Sequence, residues 1–292
     1  AQLDVPGRFE AKGLGSGGAK GCPKDKWCVE NDGRYRGTMN VSEALATSPN
    51  TAFAKLISQI GVARTIDMAV KLGLRSYAAP GSARAYDPNS NESLADFIKR
   101  QNIGSFTLGP FEVNALELSN VAATLASGGT WCPPNPVDKV FDRHGNEVSV
   151  TTQTCEQAVP EGLANTLANA MNKDAVSGTG AAAAQSVGWS LPVSGKTGTT
   201  EAHRSSAFLG FTSAYAAANY IYDDSTTPSD LCSFPLRQCG RGDLYGGHEP
   251  ARTWFAAMKQ FTPPNVVMPP KSPVAPRESW LTILSMVRLS RL

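Results

Sequence analysis

Two short stretches of the sequence hold residues that are able to do chemistry together, although they lie far apart in the chain. One is Ser48-Pro49-Asn50, and the other, residues 194–199, reads SGKTGT. Lys196 and Thr197 are adjacent in the second stretch, and Thr199 follows two residues later. On an extended strand they supply an ammonium group and two hydroxyl groups. Such a set can hold a substrate carboxylate through charge-assisted hydrogen bonds.

The glycines beside Lys196 have another possible use in a phosphate-binding loop. That motif requires its first glycine at position 190, where the sequence has Ser190, and a helix after the lysine and threonine. The residues that follow Thr199 are patterned as turn and strand instead, which excludes the phosphate loop. We expect Gly195 and Gly198 to let a ligand backbone lie against the strand, as an added strand would.

Ser48 has a simple structural interpretation as well. Serine is a good N-cap, and Pro49 suits the first position of the helix predicted after it. The functional alternative places Ser48 and Asn50 on one loop that faces a cleft, as a proton relay and an amide clamp respectively. Taken alone, the pattern favours the N-cap.

The elements that must position these residues are readable from hydrophobic periodicity. Gly61 and Gly73 mark the ends of two helices. We predict helices over 41–48, 50–74, 92–100, 113–129, 161–173 and 249–261, a hairpin over 137–150, and strands over 189–199, 206–212 and 216–222. The first 37 residues are predicted to be loop or broken strand. Helices followed by three antiparallel strands and a last helix indicate an α/β or α+β domain with an antiparallel sheet.

Composition limits the class of protein. The chain has 292 residues, 41% of them hydrophobic and 18% charged, with a net charge of +2. These values are ordinary for a soluble globular protein, and the small charge argues against a nucleic-acid partner. No apolar run approaches the roughly 20 residues that cross a bilayer.

The six cysteines fall in neighbouring pairs beside loops rich in Gly, Pro or Asp. Zinc sites favour closer cysteine spacing and nearby histidines, whereas His144, His203 and His248 are scattered. We therefore predict disulfides and an oxidising compartment, with reduced buried cysteines as the alternative. Pairing by sequence neighbours is the working hypothesis, and the cysteines are Cys22, Cys28, Cys132, Cys155, Cys232 and Cys239.

The two stretches together resemble the transpeptidase domain of high-molecular-weight penicillin-binding proteins, which carries a Ser-x-Asn element and, downstream, Lys-Thr-Gly on a strand. The resemblance covers about residues 36 to 261 and is closest to the class A, bifunctional enzymes. Four segments carry it in order: VSEALATSPNTAFAKL, LELSNVAATLASGGTWCPP, SGKTGTTEAHRSSAFLGFTSAYAAANYIYDD and GGHEPARTWFAAM. It implies the fold shared with serine β-lactamases, an antiparallel sheet flanked by helices.

The resemblance also implies roles. A serine would attack the D-Ala–D-Ala carbonyl of a peptidoglycan stem peptide, and a second peptide would resolve the acyl-enzyme; β-lactams would acylate the same serine. Ser48 would pass a proton to the leaving amine, and Asn50 would hold a substrate amide. Lys196 would support Ser48 and attract the carboxylate, which Thr197 and Thr199 would bind next to Gly198. The backbone N–H of Thr199 would be one oxyanion donor. No cofactor or metal is implied.

The family's nucleophile motif, Ser-x-x-Lys, does not occur in this sequence. Ser16 precedes Lys20 by four positions, and Ser285 is followed at the required spacing by Arg288, which cannot act as a base. We expect the chain to be truncated before the motif, with the N-terminal part of the fold and a membrane anchor upstream, and to be inactive by itself. The resemblance, with its membrane anchor upstream, implies an extracytoplasmic location for this domain.

Two other hypotheses remain open. A serine β-lactamase or D,D-carboxypeptidase shares the fold, and a non-catalytic peptidoglycan-binding pseudoenzyme would explain the missing serine. Other cell-wall synthesis proteins are possible partners. Residues 1–261 are predicted as the partial transpeptidase domain. Residues 262–292 are predicted as a proline-rich linker and irregular tail.

Overall fold

The structure is a computed structural model that describes residues 2–150, 153–200, 203–232, 239 and 244–271. Its centre is an antiparallel sheet of three strands that are consecutive in the chain, with the second strand in the middle. The strands are β8 (Ser194–Thr199), β9 (Ser205–Phe211) and β10 (Ala216–Tyr222). Gly198 pairs with Ala207 in this register, and Ala218 pairs with Leu209. The three predicted strands are therefore confirmed, although β8 begins five residues later than predicted.

Eight helices are found among the described residues, and three of them begin at a side-chain cap. The side chains of Asn40, Ser93 and Asn114 each accept the N–H of the third residue of the helix that follows. Gly61 and Gly73 end two further helices, as predicted. The helices are α1 (Val41–Thr47), α2 (Asn50–Ile60), α3 (Val62–Leu72), α4 (Leu94–Gln101), α5 (Ala115–Ala126), α6 (Glu161–Ser177), α7 (Ala181–Ser186) and α8 (Glu249–Phe261). Two short 3-10 helices lie at Arg75–Ala78 and Gly104–Leu108.

The sheet separates two apolar layers, because alternate residues of β9 point to opposite faces. Leu209 and Phe211 join the larger core, formed mainly with α1 to α6. Phe208 joins Trp254 and Phe255 of α8 on the other face. Every residue of β9 is buried, so the middle strand is apolar on both sides.

The N-terminal region contains short strands that the sequence only partly indicates. The strands β1 (Gln2–Asp4) and β5 (Thr38–Asn40) pair with each other, and β2 (Arg8–Lys12), β4 (Lys26–Glu30) and β3 (Gly17–Gly18) form a small separate sheet. Trp27 and Val29 bury one side of it. The prediction of loop or broken strand missed this sheet because strands of two to five residues show too little alternation to be recognised.

The predicted hairpin is reduced to a turn with one bridge between Phe141 and Glu147. Its base is closed by β6 (Thr130–Trp131) and β7 (Glu156–Gln157). All three disulfides join sequence neighbours: Cys22–Cys28, Cys132–Cys155 and Cys232–Cys239. The prediction of disulfides is confirmed, including the hypothesis on pairing.

The segment after α8, predicted as linker, contacts the domain for at least its first eight residues. Val266 is buried, the N–H of Val267 donates to Ser213 Oγ at 3.1 Å, and Asn169 Nδ2 donates to the Pro269 carbonyl at 2.9 Å. Residues 272–292, which hold the rest of the predicted linker and the predicted irregular tail, lie outside the described residues. Within the described part of the chain, no helix is long and apolar enough to span a bilayer.

Candidate active site

Ser48 lies in the turn between α1 and α2 and closes α1. It adopts a left-handed conformation with φ 61° and ψ 46°, and its N–H donates to the Ala44 carbonyl at 2.8 Å. Pro49 is the residue that precedes α2, without a side-chain cap, and Asn50 is the first helical residue. The interpretation of Ser48 as N-cap of α2 is therefore wrong. The Ser48 hydroxyl accepts a hydrogen bond from Lys196 and does not cap that helix.

Lys196 joins this turn to the sheet. Its side chain is fully buried, and its Nζ donates to Ser48 Oγ at 2.9 Å and to the Thr197 carbonyl at 2.9 Å. The two residues are 148 positions apart in the chain. A buried ammonium group needs acceptors of this kind, since an unpaired charge inside a protein is costly. The structure thus brings the two predicted stretches into contact.

The two threonine hydroxyls of β8 also have partners within the chain. Thr197 Oγ1 is in close hydrogen-bond contact with Thr179 Oγ1, in the turn after α6. Thr199 Oγ1 accepts the N–H of Gly246 at 3.1 Å. Both hydroxyls therefore project to the side of the strand that faces residues 244–248.

Gly246 and Gly247 let the segment 244–248 lie directly on β8. A Cβ at Gly246 would be 2.3 Å from the carbonyl oxygens of both Ala207 and Gly198. A Cβ at Gly247 would be 2.2 Å from the Thr179 carbonyl. A side chain at either position would separate the segment from the strand, and the contact of Gly246 with Thr199 would be lost.

Asn50 is placed by a contact to the N-terminal sheet. Its Nδ2 donates to the carbonyl of Glu30, at the end of β4, at 2.8 Å. The next residue, Thr51, is fully buried and bonds to Asn31 and to the Pro6 carbonyl. This network anchors the start of α2 against the N-terminal strands, which fixes the turn that carries Ser48.

One buried acid in this region was not predicted. Asp174, in the last turn of α6, is fully buried, and its Oδ1 accepts the N–H of Thr179 at 3.1 Å and the hydroxyl of Thr179 at 2.6 Å. Burial raises the pKa of this carboxyl to about 6, although the Lys196 charge and the bonds from Thr179 act in the opposite direction. Its Oδ2 has no hydrogen-bond partner within the described part of the chain.

The sequence did contain a signal for Asp174. The buried residues Leu163, Leu167 and Met171 recur at helical spacing in α6, and Asp174 continues their stripe. An acid in an apolar stripe, followed by Gly-Thr-Gly at 178–180, indicates a buried polar contact. Asp174 lies one residue beyond the predicted helix end at 173, so the predicted helix did not include it.

Residues 15–221 match the sequence profile of the penicillin-binding protein transpeptidase domain. The match covers most of the chain, which therefore belongs to the penicillin-binding protein transpeptidase family. This confirms the resemblance inferred from the four segments.

Curated relatives agree with a class A assignment. The chain is 31% identical over 232 residues to penicillin-binding protein 1A of Clostridium perfringens (strain 13 / Type A), covering 77% of this chain and 31% of the relative. It is 25% identical over 237 residues to penicillin-binding protein 1A of Mycobacterium tuberculosis, covering 78% of this chain and 27% of the relative. The chain thus spans less than a third of the length of these relatives.

Solved structures show the same fold. The penicillin-binding protein PonA1 of Mycobacterium tuberculosis aligns with a TM-score of 0.61 at 22% identity, over 87% of this chain and 63% of that one. Penicillin-binding protein 1A of Haemophilus influenzae aligns with a TM-score of 0.62 at 18% identity, over 92% and 41%. The predicted antiparallel sheet flanked by helices is confirmed.

Proposed function

We propose that the Ser48 turn and β8 line a groove that is the donor site of a peptidoglycan D,D-transpeptidase, which binds D-Ala–D-Ala stem peptides and β-lactams. The observation that carries this proposal is the contact of Lys196 Nζ with Ser48 Oγ. A lysine bonded to a serine hydroxyl forms a path along which a proton can be passed. The cation beside Thr197 and Thr199 would attract the carboxylate that both ligand classes carry.

Each residue then has a role in binding or proton transfer. Ser48 would deliver a proton to the leaving D-alanine amine, and Lys196 would hold Ser48 in position. The Thr199 hydroxyl and the Thr197 hydroxyl would bind the ligand carboxylate, and the Thr199 N–H would stabilise the oxyanion. Asn50 would clamp a substrate amide after exchanging its bond to the Glu30 carbonyl.

The acylated serine is not supplied by this sequence, which has no Ser-x-x-Lys. A tetrahedral intermediate needs that serine as both nucleophile and second oxyanion donor. We therefore expect the 292 residues alone to bind ligands reversibly without turnover. The disulfides support an extracytoplasmic site of action.

Solved relatives support β-lactams as ligands. One structure holds PonA1 of Mycobacterium tuberculosis in complex with penicillin V. Another holds penicillin-binding protein A of that organism as a penicillin G acyl-enzyme. The non-catalytic pseudoenzyme is retained as the second candidate because of the absent nucleophile motif.

The test combines two measurements on the 292-residue chain. Labelled penicillin should give no covalent adduct after denaturation, whereas N-acetyl-L-lysyl-D-alanyl-D-alanine should bind reversibly and more tightly than its C-terminal amide. Lys196→Met should abolish that preference, and Lys12→Met, at an exposed ion pair with Asp25, should preserve it. A covalent adduct would refute the predicted inactivity. Equal affinity for the acid and the amide would refute the carboxylate site.

A further inference from the structure

A chain of hydrogen bonds links the buried acid of α6 to the proposed carboxylate site. It runs from Asp174 Oδ1 to Thr179 Oγ1 and on to Thr197 Oγ1. The Thr179 N–H also donates to the carbonyl of Ala46 at 3.0 Å, two residues before Ser48. Thr179 therefore connects the turn that carries Ser48 with the strand that carries Lys196.

The close approach at this point requires glycine on both sides of Thr179. A Cβ at Gly178 would be 2.5 Å from the Ala46 carbonyl oxygen, and one at Gly180 would be 2.9 Å from Asp174 Oδ2. The backbone on both sides of Thr179 therefore lies directly against Ala46 and Asp174.

The direction of the hydrogen bonds follows from the number of protons available. An ionised carboxylate only accepts, and a hydroxyl donates a single hydrogen. With Asp174 ionised, Thr179 gives its hydrogen to Asp174, so the hydrogen between Thr179 and Thr197 comes from Thr197. The Thr197 hydroxyl then presents lone pairs to the groove, which repel a carboxylate.

Protonation of Asp174 reverses the chain. One proton from solvent binds Oδ1, which donates to Thr179 Oγ1; Thr179 rotates and donates to Thr197, and Thr197 donates to the ligand carboxylate. No covalent bond of the ligand changes, and the net change is one proton bound to Asp174. The pKa of about 6 places this proton within reach at neutral pH.

We propose that Asp174, through Thr179, is a positioning residue that sets the direction of the Thr197 hydroxyl, so that a carboxylate bound there takes up one proton. This rests on the proposed function, because it assumes a carboxylate ligand at Thr197. The charged group that acts on Asp174 from β8 is Lys196. The last turn of α1 and all of α7 contain no titratable side chain. The segment 244–248, which lies on β8, contributes Tyr245 and His248, and α6 contributes Lys173.

The experiment is calorimetric titration of the 292-residue chain with N-acetyl-L-lysyl-D-alanyl-D-alanine in two buffers of different ionisation enthalpy. Above about pH 6, the wild type should take up about one proton per ligand and lose about tenfold in affinity per pH unit. Asp174→Asn presents an amide N–H to Thr179 as the protonated acid would, so binding should be independent of pH. Thr179→Val should remove the proton uptake, whereas Thr179→Ser, which keeps the hydroxyl, should retain it.

The outcomes separate the two proposals. Binding without proton uptake in the wild type would overturn the role of Asp174 and leave the carboxylate site intact. Uptake that persists in Asp174→Asn, or that disappears in the control His248→Gln, would also overturn it. Failure to prefer the acid over its amide at any pH would instead refute the proposed function. Since Thr179→Val keeps the shape of threonine and removes only the hydroxyl, the test does not depend on the folding of Asp174→Asn.

Discussion

The proposed groove beside β8 and the excursion between Cys132 and Cys155 hold their shape in different ways. In the groove, polar side chains are buried and bonded to residues far away in sequence, as Lys196 is to Ser48. In the excursion, large apolar side chains such as Phe141 and Val150 are exposed, and a disulfide closes the base. Directional bonds away from water fix a site accurately, whereas a covalent bond replaces the packing that an exposed loop lacks.

The largest effect is expected from Lys196→Met. It removes the positive charge that offsets the burial of the Asp174 carboxylate, and leaving a buried charge uncompensated costs about 3–5 kcal/mol of unfolding free energy. Because a proton can neutralise Asp174, the loss should be smaller at about pH 5 than at about pH 8. Urea unfolding at both values measures it. The double variant with Asp174→Asn should recover part of the stability, and an unchanged loss at both values would contradict the coupling.

Gly246→Ala should cost about 3 kcal/mol, because the new methyl group would overlap two carbonyl oxygens and the segment on β8 would have to move. Gly7→Ala is the matched control, since a Cβ there meets nothing within 4 Å. Thermal unfolding of both variants measures the difference. Equal melting temperatures of Gly246→Ala and Gly7→Ala would show that the segment 244–248 does not pack closely against β8.

A third prediction isolates the stability linked to Asp174. Its pKa is raised on folding, so the folded state binds more protons and stability falls as pH rises from about 4 to about 6. The wild type should therefore lose about 2–3 kcal/mol relative to Asp174→Asn over this interval, and nothing further above it. Denaturant unfolding across the range gives the difference curve. A flat curve would mean that Asp174 titrates normally.

The smallest expected effect is the difference in unfolding free energy between variants that lack one or the other of two disulfides. The Cys132–Cys155 bridge closes a longer loop than Cys22–Cys28, with sequence separations of 23 and 6. Loop entropy predicts that replacing the first pair by serine costs about 1 kcal/mol more than replacing the second. Chemical unfolding of the two double variants tests this, and neither should change ligand affinity in the groove. A loss of affinity would tie the excursion to the site.

Local signals made most of the fold predictable. Asn40, Ser93 and Asn114 cap helices, Gly61 and Gly73 end them, and α8 spans the predicted residues. The three strands of the sheet were also predicted, because β9 and β10 are apolar runs between polar turns and β8 follows directly on the apolar residues Leu191 and Val193. The N-terminal strands were not, since their pairing joins segments too short to show a pattern.

The same distinction between local patterns and contacts of distant segments applies to the site. The sequence by itself determined which groups are present: a lysine and two threonines on a strand, a serine and an asparagine in a turn, six cysteines, and no Ser-x-x-Lys. Only the tertiary structure decided that Ser48 bonds to Lys196 instead of capping α2, and that Asp174 and Gly246 meet β8. Residue types and short-range patterns can be read directly from the sequence. Which buried polar groups become neighbours depends on how α1, α6 and β8 pack, and no local pattern encodes that.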